Sequence, residues 1–201
     1  MIGKIQHSIF MQFLRHPFST GAVCPSSCCL CKALTACVGL ENAKTVAELG
    51  PGTGAVTRQI LVSLPQDADF FSVELNKNLI PALVKEFPGV SFYNEDARNL
   101  RSIMDRRNIS SLDAVISSLP WSIFPEELQL SLLDTIHDTL SDNGCFTTFL
   151  YVQGMFLPAG RRFLRHLGER FEVSRCRTVW RNMPPAYVYC CRKKSDKQTT
   201  N

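Results

Sequence analysis

The chain has 201 residues, 45% of them hydrophobic, and a net charge of +4, which suits one sizeable core of ordinary globular type, read here as a single domain. No apolar run approaches the roughly 18 residues that cross a bilayer, and the start lacks the charged, apolar and small-residue succession of a secretory signal, so an intracellular protein is expected. The charge is uneven: residues 1–100 are net 0, residues 101–150 net −4 and residues 151–201 net +8, which makes the C-terminal quarter a basic surface suited to phosphate groups, an anionic membrane or plain solvation.

In chain order, residues 2–15 set Ile2, Ile5, Ile9, Phe10, Phe13 and Leu14 at helical spacing among Lys4, His7 and Arg15, an amphipathic helix that either packs on the domain or lies in a membrane interface. Pro17 ends it through its restriction of His16. A polar turn follows, and Ser26 or Ser27 N-caps an apolar helix to about Val38. Strands are then predicted near 45–49, 69–74, 90–94, 112–117, 144–150, 171–179 and 186–192. Helices are predicted near 54–63, 77–87, 98–105, 125–140 and 158–169, with Pro81 placed to shift the start of the second. This alternation specifies a parallel α/β sheet covered on both faces, and the short connection between the last two strands requires them to pair antiparallel. Residues 1–40 are read as helices capping the site, 41–192 as the catalytic sheet domain and 193–201 as a frayed tail.

Nine cysteines is a high count, and Cys24, Cys28, Cys29, Cys31 and Cys37 fall close together. No second cluster of matching spacing and no adjacent histidine accompanies them, so no metal is expected. Cys28, Cys29, Cys31 and Cys37 read instead as small hydrophobes on a buried helix in a reducing compartment.

The chemistry concentrates after the first strand, in Glu48-Leu49-Gly50-Pro51-Gly52-Thr53-Gly54. Alternating glycines let the backbone take left-handed dihedrals and approach a ligand, and the following helix offers unpaired N–H groups. Gly50, Gly52 and Ala55 also satisfy the loose dinucleotide fingerprint. Glu48 argues against that reading, because a carboxylate beside a pyrophosphate repels it, whereas beside a cationic amino-acid moiety it attracts. Glu74 ends the second strand, where an acid accepts from ribose hydroxyls. Asp96, followed by Ala97, ends the third and can accept from an adenine amine. Ser118 ends the fourth. Ligands of open α/β sheets bind beyond the carboxyl ends of the strands, so these residues should converge on one crevice.

On these residues and the strand order, the chain resembles the class I S-adenosylmethionine-dependent methyltransferases, with a Rossmann-like seven-stranded, mostly parallel sheet, an antiparallel last strand and an N-terminal amphipathic helix. Gly21-Ala22-Val23-Cys24-Pro25-Ser26-Ser27 together with the 48–57 segment is similar to bacterial phospholipid N-methyltransferases, relatives of the rRNA adenine dimethyltransferases, over about residues 13–192. The resemblance implies S-adenosylmethionine as cofactor, held by Glu48, Gly50, Gly52, Gly54, Glu74, Asp96, Ala97 and Ser118. It implies methyl transfer to a phospholipid amine of the phosphatidylethanolamine type, by a monomeric cytoplasmic protein docked on an anionic membrane through its first helix. Leu119-Pro120-Trp121 keeps part of the rRNA enzymes' motif, but Ser118 stands where they carry Asn, and no helical RNA-gripping domain follows, so nucleic acid is not the preferred partner. Another amino lipid, a small molecule or an rRNA adenine is the alternative acceptor, and a non-catalytic binding module the alternative class. Tyr151, Ser118 and His16 are the candidate catalytic groups, and Lys4, Arg15, Ser26, Trp121 and Arg181 the candidate substrate or membrane contacts.

Overall fold

The computed structural model describes residues 27–194. The expected first helix, with Lys4, Arg15, His16 and Ser26, lies outside the described residues, as does the tail from residue 195. The described part begins with helix α1 (Cys28–Thr35), capped by Ser27, whose hydroxyl accepts from the Leu30 N–H at 3.2 Å. The alternation then runs β1 (Thr45–Leu49), α2 (Ala55–Ser63), β2 (Asp69–Val73), α3 (Ile80–Glu86), β3 (Ser91–Tyr93), α4 (Leu100–Arg106) and β4 (Leu112–Ser117). It continues with α5 (Glu126–Thr139), β5 (Leu140–Tyr151), α6 (Pro158–Arg170), β6 (Phe171–Val179) and β7 (Ala186–Lys193).

Sheet order is β3-β2-β1-β4-β5-β7-β6, with β7 antiparallel to both of its neighbours and the remaining contacts parallel. The expected antiparallel hairpin is present, with β7 inserted between β5 and β6. One consequence is that β6 points the same way as β1, so the β6–β7 turn sits at the carboxyl edge with the loops after β1, β2 and β4.

Two apolar clusters sandwich the sheet. One face packs Ala47, Phe71, Val115 and Phe146 against Leu100 and Met104 of α4, Leu133 of α5 and Phe163 of α6. The other packs Val46, Ala114 and Val188 against Leu30 and Leu34 of α1 and Val56 and Ile60 of α2. Successive strand residues serve opposite clusters, which is why β1 and β4 carry consecutive apolar residues, Val46-Ala47 and Ala114-Val115-Ile116.

The differences from the predicted elements have local causes. Helix α3 starts at Ile80, three residues later than expected, because Pro81 fits only the first turn of a helix. Strand β5 starts at Leu140 directly after α5, with a register break against β4 between Leu112 and Ala114. Cys28 and Cys29 are exposed and Cys31 alone of that trio is buried, so the expected fully buried cysteine helix is corrected to a one-sided one.

Trp121 is also a correction. Expected at the substrate or membrane surface, it is fully buried, its ring stacked 4.5 Å from Phe163. Its indole N–H donates to Thr148 Oγ1 at 2.8 Å, and the Thr148 hydroxyl donates onward to the Ser117 carbonyl at 3.2 Å. This chain ties the loop after β4 to β5. Thr148→Val leaves the indole N–H and the carbonyl without that hydroxyl, so we expect a loss of about 1–3 kcal/mol in urea unfolding with an unchanged slope.

Candidate active site

Strand β1 remains bonded to both neighbours up to the point where it turns. The Gly50 N–H donates to the Val73 carbonyl and the Ser118 N–H donates to the Leu49 carbonyl, each at 2.9 Å. The chain then takes left-handed dihedrals at Gly50, Gly52 and Gly54. The space beside each differs. A Cβ on Gly54 would stand 2.4 Å from the Phe87 ring, and one on Gly50 would stand 3.1 Å from Leu119 Cδ2. A Cβ on Gly52 would meet nothing within 4 Å, so the turn presents its open side there.

Glu74 borders that open side. Its Oε2 accepts from the Gly52 N–H at 3.1 Å and its Oε1 from the Asn76 N–H at 2.8 Å. Asn94 donates its side-chain amide to the carbonyls of Glu74 and Leu75, at 2.8 and 3.1 Å, and so holds the segment that aims Glu74. Burial raises the Glu74 carboxyl, opposed by the backbone N–H groups of Asn76, Gly52 and Leu75.

Glu48 is placed differently from its expected role. It has no exposed surface and lies beneath the turn, where Oε2 accepts from Thr57 Oγ1 at 2.7 Å and Ser72 Oγ at 3.1 Å. Its Oε1 has no partner among the described residues. Direct contact with a cofactor's methionine end is therefore corrected to a brace that joins β1 to α2 and β2. Burial pushes the carboxyl up to about 7, against the pull of the two hydroxyls. The polar Ser72, set between Phe71 and Val73, was the legible sign that a buried polar partner had to exist; Thr57 carried no such sign.

At the end of β3, Asp96 caps the short turn Ala97–Asn99 and is engaged by its neighbour. Arg98 donates from its backbone N–H and Nε to Oδ1, and from Nη2 to Oδ2. Partial burial favours the neutral acid, but the Arg98 hydrogen bonds outweigh it and hold the Asp96 carboxyl below its ordinary value. Asp96 thus meets a ligand as a carboxylate that already shares its oxygens with a guanidinium.

Beyond β4, Ser118 is half-buried and its Oγ is buried without a partner among the described residues. Tyr151 ends β5, half-buried, with its ring edge-on to Phe149 at 5.2 Å. Arg181 is exposed in the β6–β7 turn. Two of the α6 cations are committed elsewhere, because Arg162 and Arg165 both reach Glu126. Glu74, Gly52 and Ser118 thus share the carboxyl edge, Ala97 and Asp96 flank it, and Glu48 supports it from below.

Known proteins were compared with this arrangement. The chain is 30% identical over 184 residues to the ornithine lipid N-methyltransferase of Singulisphaera acidiphila, covering 90% of this chain and 92% of that protein. It is 34% identical to the ribosomal RNA small subunit methyltransferase A of a Hydrogenobaculum species over 80 residues, 40% of this chain and 29% of that protein. Among solved structures, the N-methyltransferase NodS of Bradyrhizobium japonicum, in complex with S-adenosyl-L-homocysteine, superposes with a TM-score of 0.63 at 11% identity, covering 82% of this chain and 86% of that one. At that identity the likeness speaks to the fold alone. No family model matches the chain.

The raised Glu48 carboxyl has a stability consequence. Its value of about 7 lies above the ordinary 4.5, so its contribution is fully present below about pH 4.5 and is lost as pH rises through about 7. Native stability should fall between about pH 4.5 and 7 and level off above that, with Glu48 accounting for roughly 1–3 kcal/mol. Glu48→Gln should flatten that fall, as read from urea midpoints at the two pH values; an equally steep fall in the variant would contradict it.

Proposed function

The chain belongs to the class I S-adenosylmethionine-dependent N-methyltransferases, and from that premise we propose that it methylates the amine of a zwitterionic membrane lipid at the bilayer surface. Its cofactor is S-adenosylmethionine, which supplies an electrophilic methyl group on a sulfonium. The residues present fit it: the turn is open at Gly52, and Glu74 holds a carboxylate at the crevice with oxygens that can take further hydrogen bonds. In this reading Glu74 takes the ribose hydroxyls. Gly50, Gly52 and Gly54 allow the backbone to approach the amino-acid end, with Glu48 stiffening the turn from below. Asp96 and Ala97 border the adenine.

The observation that carries the lipid reading is coverage. Likeness to the ornithine lipid enzyme runs along 90% of the chain, whereas likeness to the ribosomal RNA enzyme spans 40%. Ser118 agrees with that reading, since a serine cannot present the amide carbonyl that an asparagine would offer an adenine amine. Its unpartnered Oγ is buried, and on turning toward the crevice it can accept a hydrogen bond from an incoming amine and orient the nitrogen lone pair for in-line attack. The acceptor must arrive neutral, and desolvation at the crevice favours the neutral amine. Tyr151, at the end of β5, is the second candidate for steering that nitrogen.

Membrane docking has support at the same edge. Phe156 is 70% exposed, and in the β6–β7 turn Trp180 and Met183 are 68% and 81% exposed on either side of Arg181. An exposed Trp beside an Arg suits the bilayer interface, where an amphipathic ring and a headgroup-facing cation are both favoured. Asn182 in that turn accepts from the Ser27 N–H at 3.0 Å, so the first described residue sits at the same edge. Among the described residues no helix is long and apolar enough to cross a membrane.

Two measurements test the reading. Glu74→Ala should weaken S-adenosylmethionine binding about 10- to 100-fold by calorimetry, the effect of leaving ribose hydroxyls unpaired; unchanged affinity removes the ribose assignment. For the acceptor, methyl-labelled cofactor should be incubated with vesicles containing phosphatidylethanolamine, with vesicles containing ornithine lipid, and with ribosomal RNA. Label in either lipid supports amino-lipid methylation and distinguishes the head group, while label in the RNA alone overturns it.

A further inference from the structure

Four cysteines distant in sequence meet on the sheet face that α1 covers. Cys37 follows α1, Cys145 lies in β5, Cys176 in β6 and Cys190 in β7. The sulfur atoms of Cys37, Cys176 and Cys190 all lie within 4.8 Å of one another. Cys145 Sγ is 3.1 Å from Cys190 Sγ. The Cys37 carbonyl faces the group as well, 3.6 Å from Cys145 Sγ and 3.4 Å from Cys190 Sγ.

The backbone explains how the edge strand joins them. Register between β6 and β7 slips between Arg175 and Arg177, leaving Cys176 as the extra residue. Such a bulge re-aims a side chain, and here it brings the Cys176 sulfur to Cys190. Cysteines that serve only as small hydrophobes look different in this molecule. Cys191 faces the opposite cluster, buried among Leu112, Phe171 and other apolar side chains of that face. Cys176, by contrast, is exposed, and gives the group a side open to solvent.

We propose that Cys37, Cys176 and Cys190, with Cys145 as the fourth donor, form a binding site for a thiophilic divalent metal ion, for which zinc is the matching probe. Thiolates around a tetrahedral zinc sit about 2.3 Å from the ion and hence about 3.8 Å apart; Cys37, Cys176 and Cys190, all within 4.8 Å of one another, match that spacing, and Cys145, 3.1 Å from Cys190, completes the set by a shift of its side chain. An all-sulfur donor set selects soft ions over magnesium or calcium. Binding releases one proton from each coordinating thiol, and no oxidant or reductant takes part. The site is structural in position. Cys145 lies six residues before Tyr151 along β5, about 20 Å from the carboxyl edge at roughly 3.3 Å per residue. An ion there would staple the connection after α1 to β5, β6 and β7, and so fasten the N-terminal cover to the far half of the sheet. This inference does not depend on the identity of the methyl acceptor.

The test uses the full chain, purified under reductant and without chelator from zinc-supplemented culture. Metal analysis should find about one zinc per chain, retained on dialysis and released by a thiol-blocking mercurial. Cobalt substituted for it should give the visible bands of tetrahedral thiolate coordination. Cys176→Ser, at an exposed position with little folding risk, should lose most of the zinc and the cobalt bands while keeping the native circular dichroism. Cys29→Ser, exposed on α1, should keep both. Cys190→Ser should behave as Cys176→Ser does. Less than about a tenth of an equivalent of zinc, equal retention in Cys176→Ser and Cys29→Ser, or a disulfide joining Cys145 and Cys190 under the same reductant would each overturn the proposal.

Discussion

Everything at the carboxyl edge depends on the end of β1 being held level with both of its neighbours. The Leu49 carbonyl accepts from Ser118 and the Gly50 N–H donates to Val73, so three strand ends are tied at one height just before the chain turns left-handed. A slip of one residue would carry Glu48 away from the Thr57 and Ser72 hydroxyls and into an apolar layer. That buried carboxylate is costly to desolvate and satisfied at one oxygen, so it specifies register more than it adds stability. The glycine turn can be open at Gly52 because it is clamped beneath and at both ends.

How much of this was legible in the sequence follows from which forces act locally. Apolar periodicity and the spacing of glycines and strand-end acids located β1, the turn, Glu74, Asp96 and Ser118, because each of those signals is carried within a few residues. Side-chain direction was not legible. Glu48 and Glu74 read alike as acids at strand ends, yet one points into the layer between sheet and α2 and the other accepts from the Gly52 N–H of the turn. The pairing of Asp96 with Arg98 is local and could have been anticipated from an Asp capping a short turn. The burial of Trp121 could not, since it depends on Phe163 and Thr148, which are contributed by α6 and β5.

The burial of Trp121 also changes how the acceptor side is to be understood. The Pro120-Trp121 segment is fastened by Thr148 and by Gln129, whose side-chain amide donates to the Trp121 carbonyl at 2.7 Å and to the Ala159 carbonyl at 2.9 Å. A loop locked to β5, α5 and α6 in this way holds Ser118 at a fixed distance from the cofactor cradle. Specificity for the acceptor is then left to the rim around it, where Tyr151, Phe156 and the β6–β7 turn differ in exposure and polarity.

That rim and the sulfur cluster belong to the same half of the sheet, and their positions are complementary. β5, β6 and β7 carry exposed apolar side chains and Arg181 at the carboxyl edge, and converging thiols further down the same strands. The edge strand β6 has β7 as its one sheet neighbour, so that ladder alone restrains it within the sheet. If that turn presses Trp180 into a lipid interface, as proposed, it would transmit force to that edge strand. Fixing Cys176 of β6 to Cys190 of β7 and to Cys37 beyond α1 would resist such a force where the hydrogen-bond ladder is interrupted by the bulge. The Ser27–Asn182 hydrogen bond performs the same service at the other end of α1. With such an ion bound, the N-terminal cover would be held to the hairpin at two points, one at the carboxyl edge and one deep on the sheet.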